Sequence, residues 1–414
     1  MRKPLTIIIM LGAFFAGLKN LFTGRRTSGP KPRNKPDKTI TLKSWTWTTA
    51  KYFVAFAVLM AIAGFLLAAS GVIPIKASSG HWAVTRWFLQ FSKQRSFSTH
   101  SIGTEVPPLD DARLVLQGAG AYETNCSACH GSPLLPDPRV AQHMTPRPPY
   151  LPTTLHNWDD AELFYIVKHG IKFTGMPAWP ARQRDDEVWA VVAFIRRLPD
   201  LDSTGYRRLA NGDAEVSEVE PLERLLGPTN VPEAIATSCA RCHGSNGLGR
   251  GSAFPKLAGQ SSAYLYHSLH AYARNERHSG VMGPVVAGLG DEEMLALARY
   301  YAGLGSGQSV ASGDQSESIE RGRRIALEGI PGQRVASCVS CHGPGNLPRN
   351  PIYPELAGQY PDYLSLQLEL FKKHARGGTS YAHIMRQTAE RLTAQQVRDV
   401  TLYYSSLSPA RSEK

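Results

Sequence analysis

A chain of 414 residues is too long for one ordinary hydrophobic core, so several domains are expected. The net charge of +12 is confined to one end: residues 1–51 hold 11 Lys and Arg against one acid, and the remainder holds 35 basic and 33 acidic residues. Because a tail carries the charge, we expect no nucleic-acid partner.

An uncharged apolar segment follows this tail. Residues 52–75, YFVAFAVLMAIAGFLLAASGVIPI, are long enough to cross a hydrocarbon core of roughly 30 Å as a helix, whereas a buried core helix is rarely so long and uniformly apolar. Nine Lys and Arg lie between Lys19 and Lys51, and basic residues collect on the cytoplasmic side of a membrane. The sequence therefore predicts a basic cytoplasmic tail (1–51), a single transmembrane anchor (52–75) and an external chain from residue 76 onward.

Two further stretches near the anchor are apolar or aromatic. Leu5 to Leu18 is shorter than a typical span, and we expect an interfacial segment or an over-extended start of the reading frame rather than a second span or a signal peptide. Gly80 to Phe97 mixes aromatic and basic residues, which is typical of a helix in the lipid headgroup layer, with a plain linker as the alternative.

All six cysteines occur in C-x-x-C pairs, and a histidine follows each pair. Disulfide scaffolds scatter their cysteines, and a zinc site needs neighbouring pairs, whereas these pairs lie 113 and 99 residues apart. A redox-active pair would need a βαβ context that is missing. We therefore predict covalent haem attachment, in which two thiols add to the haem and the histidine binds iron. The motifs are Cys126, Cys129 and His130; Cys239, Cys242 and His243; and Cys338, Cys341 and His342.

The second and third motifs belong to a repeat of 99 residues, which also relates two prolines and two LAGQ tetrapeptides. After each LAGQ come an aromatic helical stretch, a loop with a methionine and a closing helix that begins at an acid or Thr cap. The first copy diverges but keeps this order of parts. Linkers around 201–213 and 303–315 separate the copies, and no run alternates like a substantial sheet, so we predict an all-α fold.

The second face of each iron needs a ligand, and methionine is the best candidate. The three candidates lie 46, 39 and 43 residues after the histidine of their motif, before the closing helix; they are Met176, Met282 and Met385. We expect Met144 and Met294 to be packing residues, because the first lies too close to its motif and the second lies inside a helix. Histidine is the alternative ligand, and His383 is the rival of Met385. The other histidines within range are His169, His267, His270, His278 and His374.

These motifs resemble the class I cytochrome c family over residues 106–408, and the last two copies resemble its tandem diheme subgroup through the sequence P-x-L-A-G-Q. The resemblance also rests on a helix pattern in which a Tyr or Ala follows a glycine by four residues. This pattern occurs at Gly118 to Tyr122 and at Gly322 to Ala326. The second copy lacks a clear glycine-marked helix before Cys239, where Pro232 interrupts, so we expect its first helix to be short or irregular.

The resemblance implies that a proline carbonyl accepts the hydrogen bond of each haem-binding histidine, and such a bond tunes the potential. It points to Pro255 and Pro354 in the last two copies. In the first copy the choice among Pro146, Pro148 and Pro149 is open. The expected architecture is three tandem class I cytochrome c domains after one N-terminal transmembrane helix. The juxtamembrane linker spans residues 76–105, and the domains span 106–203, 204–308 and 309–414.

Iron held by His and Met on both faces has no open position, so we expect an electron carrier with three covalently bound haem c groups and no enzymatic activity. Its place would be the inner membrane, with the haem domains in the periplasm. The expected partners are a quinol-side donor and a terminal oxidase, soluble cytochrome or reductase. The alternatives are the cytochrome subunit of a periplasmic alcohol, aldehyde or sugar-acid dehydrogenase, and a haem peroxidase, which would need a five-coordinate haem.

Overall fold

We describe the protein from a computed structural model, in residues 42–73, 76, 79–155, 158–212, 238–307, 315–344 and 349–409. The chain forms two compact units, residues 1–75 and 76–414. The described residues form helices and isolated bridges but no strand, which confirms the all-α prediction. The predictions for Leu5 to Leu18 and for the helix interrupted by Pro232 lie outside the described residues.

The described part of the first unit contains one helix, Leu42–Ala69. Its segment Thr49–Ala69 has 21 residues with a mean hydropathy of 2.4, which is long and apolar enough to cross a membrane. At about 1.5 Å per residue, such a segment matches the thickness of a hydrocarbon core. The helix ends earlier than residue 75, the predicted end of the anchor, because Gly71 takes a left-handed conformation with φ of 70°.

The second unit contains three groups of helices, which we call the first (79–212), second (238–307) and third (315–409) groups. In the first group, Gly118 lets one helix approach the backbone of Ala190 on another, where a side chain would overlap. Tyr122 and Phe194 are fully buried beside this crossing. The main helices of the first group are Ala83–His100, Ala112–Asn125, Ser127–His130, Arg139–Gln142, Leu151–Thr154, Asp160–His169, Asp185–Arg197 and Ser203–Asn211.

The structure differs from the sequence prediction at the end of the first group, where residues 201–213 were expected to be a linker. Most of this stretch forms the helix Ser203–Asn211, whose Tyr206 and Ala210 are fully buried. The Tyr206 hydroxyl donates a hydrogen bond to Glu123 Oε2 at 2.5 Å. Burial of this apolar face outweighs the linker-like composition, and the first group extends past residue 203.

The second and third groups repeat one arrangement in which a closing helix follows a short helix with the methionine. The sequence predicted a loop here, but Met282 begins the helix Met282–Val286 and Met385 lies inside Ala382–Arg391, so that prediction was wrong. The closing helix of the third group begins at Thr393, whose hydroxyl accepts from Gln396 N at 3.2 Å, so the predicted Thr cap is confirmed. The helices of the second group are 238–243, Ser262–Ala273, Met282–Val286 and Asp291–Gly303. Those of the third group are Ser316–Glu328, Val339–His342, Pro361–Lys372, Ala382–Arg391 and Ala394–Ser406.

Candidate functional site

Each C-x-x-C-H motif forms a short helical turn. In the first, His130 N donates to Cys126 O at 2.8 Å, and in the third, His342 N donates to Cys338 O at 2.9 Å. Residues 238–243 are helical at the second motif. A helical turn places residues three and four apart on one face, so both thiols and the imidazole of a motif face the same side.

The Nδ1 atom of each motif histidine donates a hydrogen bond to a proline carbonyl. The pairs are His130 with Pro149 at 3.0 Å, His243 with Pro255 at 3.1 Å, and His342 with Pro354 at 2.9 Å. The last two pairs confirm the prediction, and the first decides among the three prolines of the first copy. Because Nδ1 carries the proton, the lone pair of Nε2 is free to bind a metal.

Burial sets the protonation of these groups. It lowers the pKa of His243 and His342, which favours the neutral imidazole that binds metals. It raises the pKa of Cys126 to about 12 and that of Cys239 and Cys338 to about 11. The first cysteine of a redox-active C-x-x-C pair has a lowered pKa instead, so Cys126, Cys239 and Cys338 do not fit the thioredoxin-like alternative.

The second and third sites line one continuous, mainly apolar cavity of 410 Å³. Two thiols, one imidazole and one thioether from each group reach it: Cys239, Cys242, His243 and Met282, and Cys338, Cys341, His342 and Met385. This donor set fits two covalently attached haems, with the thiols for the macrocycle and N and S ligands for the iron.

The rival histidine ligands differ in position. His383 is exposed, and its Nδ1 donates to Ser380 O at 2.9 Å, whereas Met385 lines the cavity. The geometry therefore favours Met385 over His383. His278 also lines the cavity, so it stays an alternative to Met282. Met294 is 4% exposed inside its helix, as expected for a packing residue.

At the first site, Met176 packs on the edge of the first core, which Cys126 also contacts. The Met144 side chain lies against Gly175, directly before Met176, so it packs on the loop of the candidate ligand. Met176 and Cys126 thus pack on the same core, and Met144 packs on the loop before Met176.

Comparison with known proteins identifies the family. Residues 113–195 match the family described as cytochrome c oxidase, cbb3-type, subunit III, and residues 230–304 and 320–408 match the family described as cytochrome c. The chain belongs to the cytochrome c family. Cytochrome c domains hold haem c covalently, and this cytochrome carries the attachment motif at three sites.

The relatives of this cytochrome match less than half of it. The thiosulfate dehydrogenase electron acceptor of Thiomonas intermedia is 32% identical over 43% of this chain and 82% of that protein. Cytochrome c4 of Thiocapsa roseopersicina is 32% identical over 44% of this chain and 94% of that protein. The solved structure of cytochrome c4 from Acidithiobacillus ferrooxidans is 32% identical, with a TM-score of 0.37. The match covers 41% of this chain and 98% of the chain in that structure. The resemblance to tandem diheme cytochromes is confirmed.

Two glutamines connect the second and third groups of the cytochrome. Gln359 Oε1 accepts from Lys256 N and its Nε2 donates to Lys256 O, both at 3.0 Å. Gln260 makes the same two bonds to Glu355 N and O, at 3.1 and 2.6 Å. Lys256 and Glu355 directly follow the prolines that hold the motif histidines, so each group supports the histidine–proline bond of the other. The sequence revealed the repeated LAGQ but not this role of its glutamine.

A pair of arginines, Arg277 and Arg376, lines the shared cavity. The pair was not identified from the sequence, although the repeat of 99 residues relates its members. Arg277 is 7% exposed and donates to Tyr363 Oη at 3.1 Å, and Arg376 donates to Tyr264 Oη at 3.2 Å. Burial raises the pKa of Tyr264, but the two guanidinium charges outweigh it and lower the pKa to about 7. Guanidinium groups in an apolar cavity favour anionic partners, and the carboxylates of a bound haem c would be such partners.

The first group supports the loop that leads to Met282. Glu187, whose side chain is 9% exposed, accepts from Gly280 N with Oε2 and from Ser279 Oγ with Oε1, both at 2.6 Å. Arg184 pairs with Glu187 at 2.9 Å and fixes the carboxylate. A ligand loop of the second site is therefore held by a side chain of the first group.

The attachment motifs of the first and second sites also lie close together. Arg241, inside the second motif, donates to Thr124 Oγ1 at 2.9 Å, and Thr124 lies two residues before Cys126. A Cβ atom at Gly120 would lie 3.0 Å from Cys242 Sγ. The second site thus adjoins both the first and the third group.

Proposed function

We propose that this cytochrome is a membrane-anchored, periplasmic triheme electron carrier between respiratory-chain partners. The observation that carries the proposal is the threefold occurrence of one arrangement, in which half-buried cysteines lie in a helical turn with a histidine bonded to a proline carbonyl. At the second and third sites a methionine lines the same cavity. Three such sites in one chain support three haems, each with its own attachment.

The proposed ligands are His130 with Met176, His243 with Met282, and His342 with Met385. Each cysteine pair would hold the macrocycle, and the haem, when bound, would supply an iron that cycles between Fe(II) and Fe(III). With an imidazole and a thioether of the protein as iron ligands, no position would be left for a substrate. The proline carbonyl keeps the histidine in one tautomer and raises its basicity, which adjusts the potential.

The contacts support an order of electron flow in which the second haem is central. Arg241 and Thr124 join the first and second motifs, and the two glutamines join the second and third sites across a shared cavity. Electrons would pass between the first and third sites by way of the second.

The membrane attachment rests on Thr49–Ala69 and on the charge of the tail. Basic residues before a span favour the cytoplasmic side, so the three groups would lie in the periplasm, held by one helix in the inner membrane. The anchor would raise the effective concentration of the carrier near membrane-bound partners.

A second candidate function is that of an electron-accepting subunit for a periplasmic dehydrogenase, because a relative is named thiosulfate dehydrogenase electron acceptor. This name points to thiosulfate rather than to the alcohol, aldehyde or sugar-acid substrates expected from the sequence. The oxidation site would lie on another polypeptide.

The two functions are distinguished by adding donors and acceptors to the full-length protein in proteoliposomes. We expect a quinol-oxidising complex to reduce the haems and a terminal oxidase to reoxidise them, both followed by absorbance. Thiosulfate alone should reduce none of the haems, because the proposed site of its oxidation lies on another polypeptide. If only purified thiosulfate dehydrogenase with thiosulfate reduces the protein, the second candidate replaces the first.

A further inference from the structure

The helix Ala83–His100 presents apolar residues on two opposite faces. On one face, Phe97 is 5% exposed and its ring lies edge-on to Trp158, with 5.4 Å between the centroids. Leu89 and Lys93 on the same face are half-buried. This face packs on the rest of the first group and fixes the direction of the helix.

The opposite face is apolar and exposed. Residues at positions i, i+3, i+4 and i+7 share one face of a helix. Here they are Val84, Trp87, Phe88 and Phe91, with exposed fractions of 77, 65, 57 and 46%. Trp87 stacks on Phe91 with 5.7 Å between the centroids, so the rings form one continuous patch. Contiguous apolar patches on a folded unit mark binding surfaces.

The charge and position of the helix indicate what covers this patch. Residues 76–100 contain Lys76, Arg86, Lys93 and Arg95 but no acidic residue. Only residues 70–82 separate the helix from Thr49–Ala69, and an extended chain spans at most about 3.6 Å per residue, so a bilayer surface is within reach. Trp and Phe on one face with Lys and Arg beside them are typical of helices in the headgroup layer, and the cations attract anionic lipids.

We propose that the exposed face of Ala83–His100, formed by Val84, Trp87, Phe88 and Phe91, lies in the headgroup layer of the membrane that holds the anchor. This inference rests on the proposed membrane attachment. It places the first haem site nearest the bilayer, where it exchanges electrons with membrane-bound partners, and leaves the third site for soluble partners.

The test uses full-length protein with one added cysteine, spin-labelled and reconstituted into vesicles of phosphatidylethanolamine and phosphatidylglycerol. Electron paramagnetic resonance compares collisions of the label with oxygen, which concentrates in lipid, and with a water-soluble nickel chelate. The labelled variants are Phe88→Cys on the exposed face, Gln90→Cys on the side of the same helix, and Leu59→Cys in the anchor. An unchanged haem spectrum shows that each variant is folded.

We expect the labels at positions 59 and 88 to favour oxygen and the label at position 90 to favour the chelate. If position 59 favours oxygen but position 88 favours the chelate, the anchor stands and the inference is overturned. Shielding of position 88 from both reagents also overturns it, because protein then covers the face. If position 59 favours the chelate, the anchor is wrong and the inference fails with it.

Discussion

Replacing Met282 with alanine is expected to open the second haem to carbon monoxide and to lower its potential by on the order of 0.1 V, within the roughly 0.8 V range that axial ligands set. The thioether of Met282 faces the same cavity as His243, and alanine cannot reach an iron there. A redox titration followed by absorbance, with and without carbon monoxide, measures both effects. The other two haems should stay closed, because each site has its own ligands.

The matched control is Met294→Ala, because Met294 is a buried methionine of the same group. It should cost about 2–5 kcal/mol of stability through the cavity it leaves, while the iron stays closed to carbon monoxide. The variant His278→Ala tests the rival ligand. Suppose that the second haem of Met282→Ala keeps its potential and binds no carbon monoxide, whereas that of His278→Ala has a changed potential and binds carbon monoxide. The second haem is then ligated by two histidines, and the proposed methionine is wrong.

Replacing Gly322 with alanine is expected to destabilise the third group by about 3 kcal/mol, the upper end of what an overpacked contact usually costs. A Cβ atom at Gly322 would overlap the carbonyl of Asp399 and lie 2.9 Å from Tyr403 Cβ. The helices Ser316–Glu328 and Ala394–Ser406 would have to separate. Hydrogen exchange of peptides from these two helices measures the loss, since local opening speeds exchange.

Gly332→Ala is the matched control, because a Cβ atom at Gly332 meets no atom within 4 Å. We expect exchange in this variant to equal that of the unchanged protein. Equal exchange in Gly322→Ala as well would mean that the two helices do not cross as closely as the structure places them.

The sequence predicted those parts of the fold and site that depend on local patterns. The C-x-x-C-H turns, the closing helices and the Thr393 cap are each determined by residues that are neighbours in the sequence. The two histidine–proline bonds followed from a family resemblance, and the structure confirmed them. A helical period and a motif of fixed spacing are visible in one sequence, and a spatial contact between distant residues is not.

The contacts between the groups could not be predicted for this reason. Pro149 was indistinguishable from its neighbours until the fold brought it to His130. Glu187 lies 93 positions from Gly280, and no periodicity relates them. The repeat showed that the glutamine of LAGQ occurs in both copies. Its hydrogen bonds are seen only in the structure, where the second group packs on the third group.

The central claim is that one chain carries three covalently bound haems, and the mass of the denatured intact protein tests it most directly. We expect the mass of the polypeptide plus three haems, and the mass plus two haems in a chain with Cys338→Ser and Cys341→Ser. Covalent thioether bonds survive denaturation, so the count is independent of folding. A mass with two or fewer haems in the unchanged protein would contradict the account.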